Sequence, residues 1–207
     1  SLEPIEAPRA PVEVDLDIET DDGDRTYLWG VMLTDRATGK QKYQHFSSFT
    51  YLSPSGELDL AINFARWLLR LVNKHPDLLV SDYEVVRLRR LAQRSGNPDL
   101  SAVCELIKDH FVDLFQLVRD NFVAVDGLGL KVVASKGAGF SWRDEEPGGL
   151  NSQTWFATAV DGLNAAERKA ARRRVLEYNE DDVRATWHVR EWIDRLDAET
   201  HEDAQPT

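Results

Sequence analysis

The clearest pattern in the chain is the strict alternation of residues 12–19. The sequence there reads V-E-V-D-L-D-I-E, so that every second residue is aliphatic and every residue between is acidic. A period of two is typical of a β-strand, because successive side chains point to opposite faces of a sheet. The segment is therefore predicted to be a strand with one aliphatic face and one carboxylate face.

Later segments predict further strands and helices. Strands are predicted at residues 27–33 and 41–49, which would complete an antiparallel meander, and a short buried strand is predicted at 78–80. Apolar residues at helical spacing predict four helices. The first covers residues 55–72 and the second begins near Val85. The third covers residues 101–117 with a break near Asp113, and the fourth covers residues 164–196 in one or two pieces. The glycine-rich residues 123–153 are predicted to be mostly loop. Strands followed by helices, with a buried parallel strand between them, predict an α/β sandwich.

The last predicted helix carries an acid on its apolar face. Its inward stripe consists of Val175, Tyr178, Asp182, Thr186, Val189, Ile193 and Leu196. A carboxylate turned towards a core costs several kcal/mol unless something pairs with it. Asp182 could accept a hydrogen bond from a core hydroxyl, pair with an arginine, or bind a metal. Its neighbour Asp181 lies off the stripe and is predicted to be solvated.

Composition narrows the class of protein. The 207 residues are 42% hydrophobic and 29% charged, which predicts one globular domain at residues 12–196. Residues 1–11 are predicted to be a linker remnant and 197–207 a polar tail, in a piece of a longer chain. The single cysteine, Cys104, excludes an intrachain disulfide framework. No apolar run suggests a membrane span, and we expect a cytoplasmic location.

The net charge of −11 disfavours a generic nucleic-acid coat protein but not an enzyme that acts on nucleic acid. A basic cluster at residues 168–174 either steers phosphates or is solvated surface charge. Lys131, Lys136 and Arg143 are candidates for contacts to a nucleic-acid backbone. Trp142 and Trp155 either stack on a base or belong to the core.

Asp17 and Glu19 lie where the acidic strand ends. Their hard carboxylate oxygens suit Mg²⁺ or Mn²⁺, although a solvent-facing acidic strand would give the same pattern. The inward Asp182 on a distant helix favours the metal interpretation.

These residues carry a resemblance to a known family. Asp17-Ile18-Glu19 resembles the first motif, D-x-E, of the DnaQ-like, DEDD-type 3′–5′ exonucleases of the RNase H-like superfamily. The segment from Tyr178 to Asp182 resembles their third motif in its tyrosine form, Y-x-x-x-D. Tyr83-Glu84 stands at the middle motif, with Glu in place of the usual Asp and without the usual upstream asparagine.

Within that superfamily, the chain is most similar to the YprB-like or RecB-associated branch of predicted nucleases. The shared segments are Tyr83-Glu84, Val112-Asp113-Leu114, Leu130-Lys131, Gly139-Phe140-Ser141-Trp142 and the Tyr-Asn-x-Asp-Asp run that begins at Tyr178. Some members of that branch are joined to a RecB-type nuclease domain, so such a domain is a possible covalently linked partner.

The resemblance implies an RNase H-like three-layer sandwich, in which a mixed sheet of three antiparallel strands plus parallel strands is flanked by helices. It also implies two Mg²⁺ or Mn²⁺ ions, and the ligands would be Asp17, Glu19, Glu84 and Asp182. Tyr178 would orient the attacking water, and Asp113 competes with Glu84 as the third acid. The implied activity is 3′–5′ exonuclease cleavage of DNA or RNA, on single-stranded ends.

Three other functions are compatible with the sequence. They are a catalytically silent nucleic-acid-binding or targeting domain, an endonuclease on RNA–DNA hybrids, and a protein-interaction module, for which the acids would lie far apart.

Overall fold

The computed structural model describes residues 7–82, 86–122, 127–145 and 147–202 of the chain. Its strands are β1 (Val12–Thr20), β2 (Thr26–Asp35), β3 (Lys40–Ser47), β4 (Leu79–Asp82) and β5 (Phe111–Asp113). They form one mixed sheet in the order β3-β2-β1-β4-β5. The first three make the predicted antiparallel meander, while β4 is parallel to β1 and β5 is parallel to β4. β1 is therefore the central strand.

Helices cover both faces of this sheet. They are α1 (Pro54–Lys74), α2 (Val86–Ser95), α3 (Pro98–His110), α4 (Leu114–Asn121), the short α5 (Leu130–Val132), which runs into a π-helical turn (Val133–Gly137), α6 (Gly149–Asp161) and α7 (Ala165–Glu202). The aliphatic face of β1 packs in a core with α1, α2 and α3. The opposite face is covered by α7, with α6 beside it. The predicted α/β sandwich with a mixed sheet is confirmed.

Three segments differ from the sequence prediction. The predicted break near Asp113 within residues 101–117 is present, but it is a strand, β5, which separates α3 from α4 and pairs with the edge of β4. The predicted loop at residues 123–153 contains α5, the π-helical turn and the start of α6. The C-terminal helix is unbroken and runs for 38 residues to Glu202, beyond the predicted end at 196.

The carboxylate face of β1 is turned towards α7, and its first half is fully buried. Glu13 and Asp15 are both 0% exposed, as is Arg190 of α7. An Arg190 Nη2 atom lies 2.8 Å from Asp15 and 3.2 Å from Glu13, and its Nη1 donates to Ser81 Oγ at 2.7 Å. Burial raises the pKa of Asp15 to about 7, and the charge of Arg190 opposes that shift. The first half of the acidic face of β1 is thus an internal ion-pair cluster. It is not the solvent-facing acidic surface that was the alternative interpretation of the sequence.

The segment before β1 contributes to the same cluster. Ala7 and Ala10 are buried. Arg9 forms ion pairs with Glu13 at 3.2 Å and with Asp194 of α7 at 3.3 Å. Residues 7–10, which lie inside the predicted linker, therefore pack on the domain. Among the helices of the described ranges, none is both long enough and apolar enough to cross a bilayer.

Candidate metal centre

Three acids converge at the second half of the acidic strand face. Asp17 and Glu19 lie on β1 and point to the side covered by α7, because side chains alternate along the strand. Asp182 lies on the inward stripe of α7. One carboxylate oxygen from each of the three residues lies within 4.8 Å of the other two. Glu19 is 5% exposed and Asp182 is 4% exposed, whereas Asp17 is half-buried.

Asp17 is held by an asparagine from α7. Asn179 Nδ2 donates to Asp17 Oδ2 at 2.8 Å, and Asn179 Oδ1 accepts from the Tyr43 hydroxyl at 2.8 Å. Asn179 reaches β1 across Gly30 of β2, the residue that pairs with Asp17. A Cβ atom on Gly30 would lie 1.6 Å from Asn179 Oδ1. Glycine is therefore required for this close approach of α7 to the sheet.

Asp182 has hydrogen-bonding contacts with a tryptophan and a lysine. Trp142 Nε1 donates to Asp182 Oδ1 at 2.6 Å. The Lys131 ammonium lies 3.2 Å from Asp182 Oδ2 and donates to the Tyr178 hydroxyl at 2.8 Å. Tyr178 precedes Asp182 by one helical turn, so both point to the same side of α7. Asp182, Lys131 and Tyr178 thus form one hydrogen-bonded group.

The electrostatics of the cluster favour a cation. Burial, followed by the negative charge of Asp182, raises the pKa of Glu19. Burial also raises the pKa of Asp182, against the lowering effect of Lys131. Buried carboxylates so close together resist simultaneous ionisation, and a divalent cation bound between them would remove that penalty. Three hard oxygen donors from two rigid elements therefore fit Mg²⁺ or Mn²⁺.

The tyrosine of the group is not poised to act as a base. Burial, followed by the charges of Asp182 and Glu19, raises the pKa of the Tyr178 phenol well above its usual value near 10. The neutral hydroxyl is suited to hydrogen bonding and orientation, as the sequence suggested.

The acids open into a cavity of about 430 Å³. Its walls include Asp17, Glu19, Tyr178 and Asp182, together with Phe115, Lys131, Ser152 and Gln153. Ser152 Oγ, on α6, donates to Glu19 Oε2 at 2.7 Å and fixes the glutamate against the cavity wall.

Of the other predicted site residues, some contact Asp182, one lies at the edge of the cluster, and those of the middle motif, Glu84 and Tyr83, lie outside the described residues. Trp142 and Lys131 belong to the Asp182 group. Arg143 lies at the edge, and its backbone N–H and Nε donate to Asp181 at 2.9 and 2.8 Å.

Two further acids, Asp113 and Asp181, are hydrogen-bonded within the fold and do not belong to the cluster of three acids. Asp113 caps α4, since its Oδ1 accepts from the backbone N–H of Gln116 at 2.8 Å. Asp181 is only 4% exposed. The prediction that Asp181 is solvated is therefore wrong, because the loop that carries Arg143 folds over this side of α7.

Two residues of the cluster were not identified from sequence. Asn179 stands inside the Tyr-Asn-x-Asp-Asp run, but its contact with Asp17 depends on the approach of α7 over Gly30. Ser152 lies in the segment predicted to be loop, and its role follows from the packing of α6 on the end of β1.

A meander continued by parallel strands, sandwiched between helices, with acids on the central strand and the C-terminal helix, defines an RNase H-like α/β protein. A family model described as the RNase H superfamily matches residues 14–194. The chain therefore belongs to the RNase H superfamily. No curated protein matches it. Membership indicates a nuclease-type fold with a nucleic-acid substrate, and proteins of this fold typically use divalent metals.

Proposed function

We propose that the chain is a metal-dependent nuclease that hydrolyses phosphodiester bonds of DNA or RNA. The observation that carries this proposal is the convergence of Asp17, Glu19 and Asp182 within 4.8 Å, beside a cavity lined by Tyr178. In this assignment the three carboxylates hold the cations, and Glu84 completes the set from the β4–α2 connection. Two bound Mg²⁺ or Mn²⁺ ions would stabilise charge on the scissile phosphate and activate water.

The side chains of the protein would position the reactants. Asn179, Trp142 and Ser152 each donate to one of the three acids and so fix the direction of its carboxylate. The neutral Tyr178 hydroxyl would orient the attacking water by a hydrogen bond. Lys131, beside Asp182 and Tyr178, would meet the negative charge of the substrate.

The finer assignment is a DEDD-type 3′–5′ exonuclease of the tyrosine form, in the YprB-like branch. It rests on the spacing between Tyr178 and Asp182 and on the shared hydrogen-bonded group at their side chains. The acids of the cavity come from the end of β1 and from α7, and we propose a single-stranded end as the substrate. We also propose a RecB-type nuclease domain as a covalently linked partner, which would supply a second activity.

The test is cleavage of oligonucleotides labelled at the 3′ or the 5′ end, with Mn²⁺ or with EDTA. We expect Mn²⁺-dependent release of mononucleotides from the 3′ end. Asp17→Asn and Asp182→Asn should lower the rate by more than about 100-fold, because second-shell changes alone cost 10–100-fold in comparable sites. Asp59→Asn, an exposed acid on α1, is the matched control and should leave the rate unchanged. Equal rates for Asp17→Asn and Asp59→Asn would contradict the proposal.

A catalytically silent nucleic-acid-binding domain is the second candidate. It is favoured by the ion pair between Lys131 and Asp182, which neutralises one acid without a metal. This candidate predicts oligonucleotide binding that is unaffected by Mn²⁺, with no product at either labelled end.

A further inference from the structure

Helix α2 is strongly basic in an acidic protein. Its ten residues include four arginines and no acid, whereas the whole chain has a net charge of −11. Leu88, Leu91 and Ala92 bury one side of the helix in the core. Arg87, Arg90 and Arg94 are spaced by three and four residues and so form one stripe along another side.

This stripe lines a cavity of about 280 Å³ together with Arg25 and the β1–β2 turn. Four arginines and two acids, Asp24 and Glu57, contribute to the lining. Both acids already have partners, since Asp24 accepts from Arg87 and Glu57 accepts from the backbone N–H of Thr26. Across the described ranges, Arg25, Arg90 and Arg94 form no ion pair. The cavity therefore has excess positive charge.

The arginine cavity lies at the same edge of the sheet as the acids, although α2 packs on the opposite face. β4 is parallel to β1, so the start of α2 and the end of β1 lie at the same edge. The turn between β1 and β2 connects the two cavities. Arg87 donates to the backbone oxygen of Asp24 at 2.9 Å, and Gln153 of the acidic cavity donates to the backbone oxygen of Asp21 at 3.4 Å.

We propose that the arginine cavity binds successive backbone phosphates of a nucleic-acid strand whose end lies in the acidic cavity. This inference rests on the proposed nuclease function. Guanidinium groups suit phosphate oxygens in charge and in geometry. From Arg87 to Arg94 the helix rises about 10 Å, which is enough to contact more than one phosphate. The other basic cluster is less available, because Arg174 pairs with Asp144 and Arg173 with Glu177.

The test compares Arg90→Gln/Arg94→Gln with Arg89→Gln/Lys108→Gln. The control pair removes the same charge from exposed positions outside the cavity, and Arg89 lies on the same helix. Binding of a fluorescent 12-nucleotide strand is measured in EDTA at several NaCl concentrations. We expect the first pair to raise Kd at least tenfold at low salt. It should also reduce the slope of log K against log salt by about 1.4, which corresponds to two lost phosphate contacts. The control pair should match the wild type.

Three results would overturn the inference. They are equal binding by the two double variants, binding of the 12-mer no tighter than that of AMP or inorganic phosphate, and stronger arginine-dependent binding of an acidic peptide. A dinucleotide cleavage assay with Mn²⁺ separates the two proposals. Failure of the wild type to cleave, with arginine-dependent binding intact, rejects only the nuclease. Cleavage with equal binding by both double variants rejects only the arginine site.

Discussion

Lys131 occupies an unusual position for a basic residue, since its ammonium contacts a carboxylate of the candidate metal centre. It lies 3.2 Å from Asp182 Oδ2 and donates to Tyr178. A divalent cation at Asp182 must share this carboxylate with the ammonium or displace it. We therefore expect Lys131 to lower the affinity of the centre for metal while it holds Asp182 and Tyr178 together.

Lys131→Met should consequently bind Mn²⁺ at least about tenfold more tightly than the wild type, because a positive charge so close to the ligand costs more than 1.4 kcal/mol. Isothermal titration calorimetry measures this without any substrate. Lys136→Met, which changes an exposed lysine five residues later, should leave the affinity unchanged. Weaker Mn²⁺ binding by Lys131→Met would mean that the lysine supports the centre in another way.

Some residues of the candidate metal centre could be identified from local sequence pattern, and others depend on contacts between distant parts of the chain. Asp17, Glu19 and Asp182 could be identified from sequence, because alternation in a strand and spacing in a helix fix the face of each side chain. Asn179 could not be assigned, since its bond to Asp17 joins residues 162 positions apart. For Trp142 the sequence leaves base stacking and a core position open; the side chain packs against the buried clusters, and its indole N–H also donates to Asp182. The local sequence pattern predicts the face to which a side chain points, whereas tertiary packing determines which residue it contacts.

At the scale of elements, the contact between α7 and β1 organises the molecule. It brings Asp182 to Asp17 at one end and Arg190 to Glu13 and Asp15 at the other. The long strands and α7 were predictable because their periods persist over several residues. β5 was not, because a three-residue strand is too short to show a period, and it is defined by its pairing with β4.

Arg190→Met should destabilise the fold by about 3–5 kcal/mol, because it leaves two buried carboxylates without their buried cation. Urea unfolding of the full chain measures this change. Arg184→Met is the control on the same helix. Arg184 is 42% exposed in its side chain and pairs with Glu180, so its loss should cost less than about 1 kcal/mol. The ion-pair cluster is not structural if the two variants unfold at the same urea concentration.

At the scale of the whole molecule, β1 places two acidic clusters side by side. The two clusters differ in how their negative charge is neutralised. Glu13 and Asp15 are neutralised from within by Arg190 and Arg9. Among the described residues, Lys131 is the cation whose charge opposes the raised pKa values of Glu19 and Asp182. The sequence shows one uninterrupted acidic face, and it does not reveal this division, because Arg190 lies 175 residues from Asp15.

This division predicts how the stability of the chain depends on pH and metal. The raised pKa of Glu19 means that the folded chain in EDTA binds a proton at pH values where the unfolded chain has released it. The free energy of unfolding in EDTA should therefore fall as pH rises above about 4.3, the ordinary pKa of glutamate. Mg²⁺ at 100 times its Kd should restore about 2.7 kcal/mol at high pH and less at low pH, where protons compete with it.

Thermal unfolding from pH 5.5 to 8.5, with EDTA or Mg²⁺, measures both effects. Glu19→Gln should be more stable than the wild type in EDTA at pH 8.5, because it removes a buried charge that burial and Asp182 oppose, and it should gain little from Mg²⁺. Glu105→Gln, an exposed acid on α3, should behave as the wild type. A wild type that is insensitive to Mg²⁺ throughout this pH range would show that the acids are balanced without a metal, as the silent-domain alternative requires.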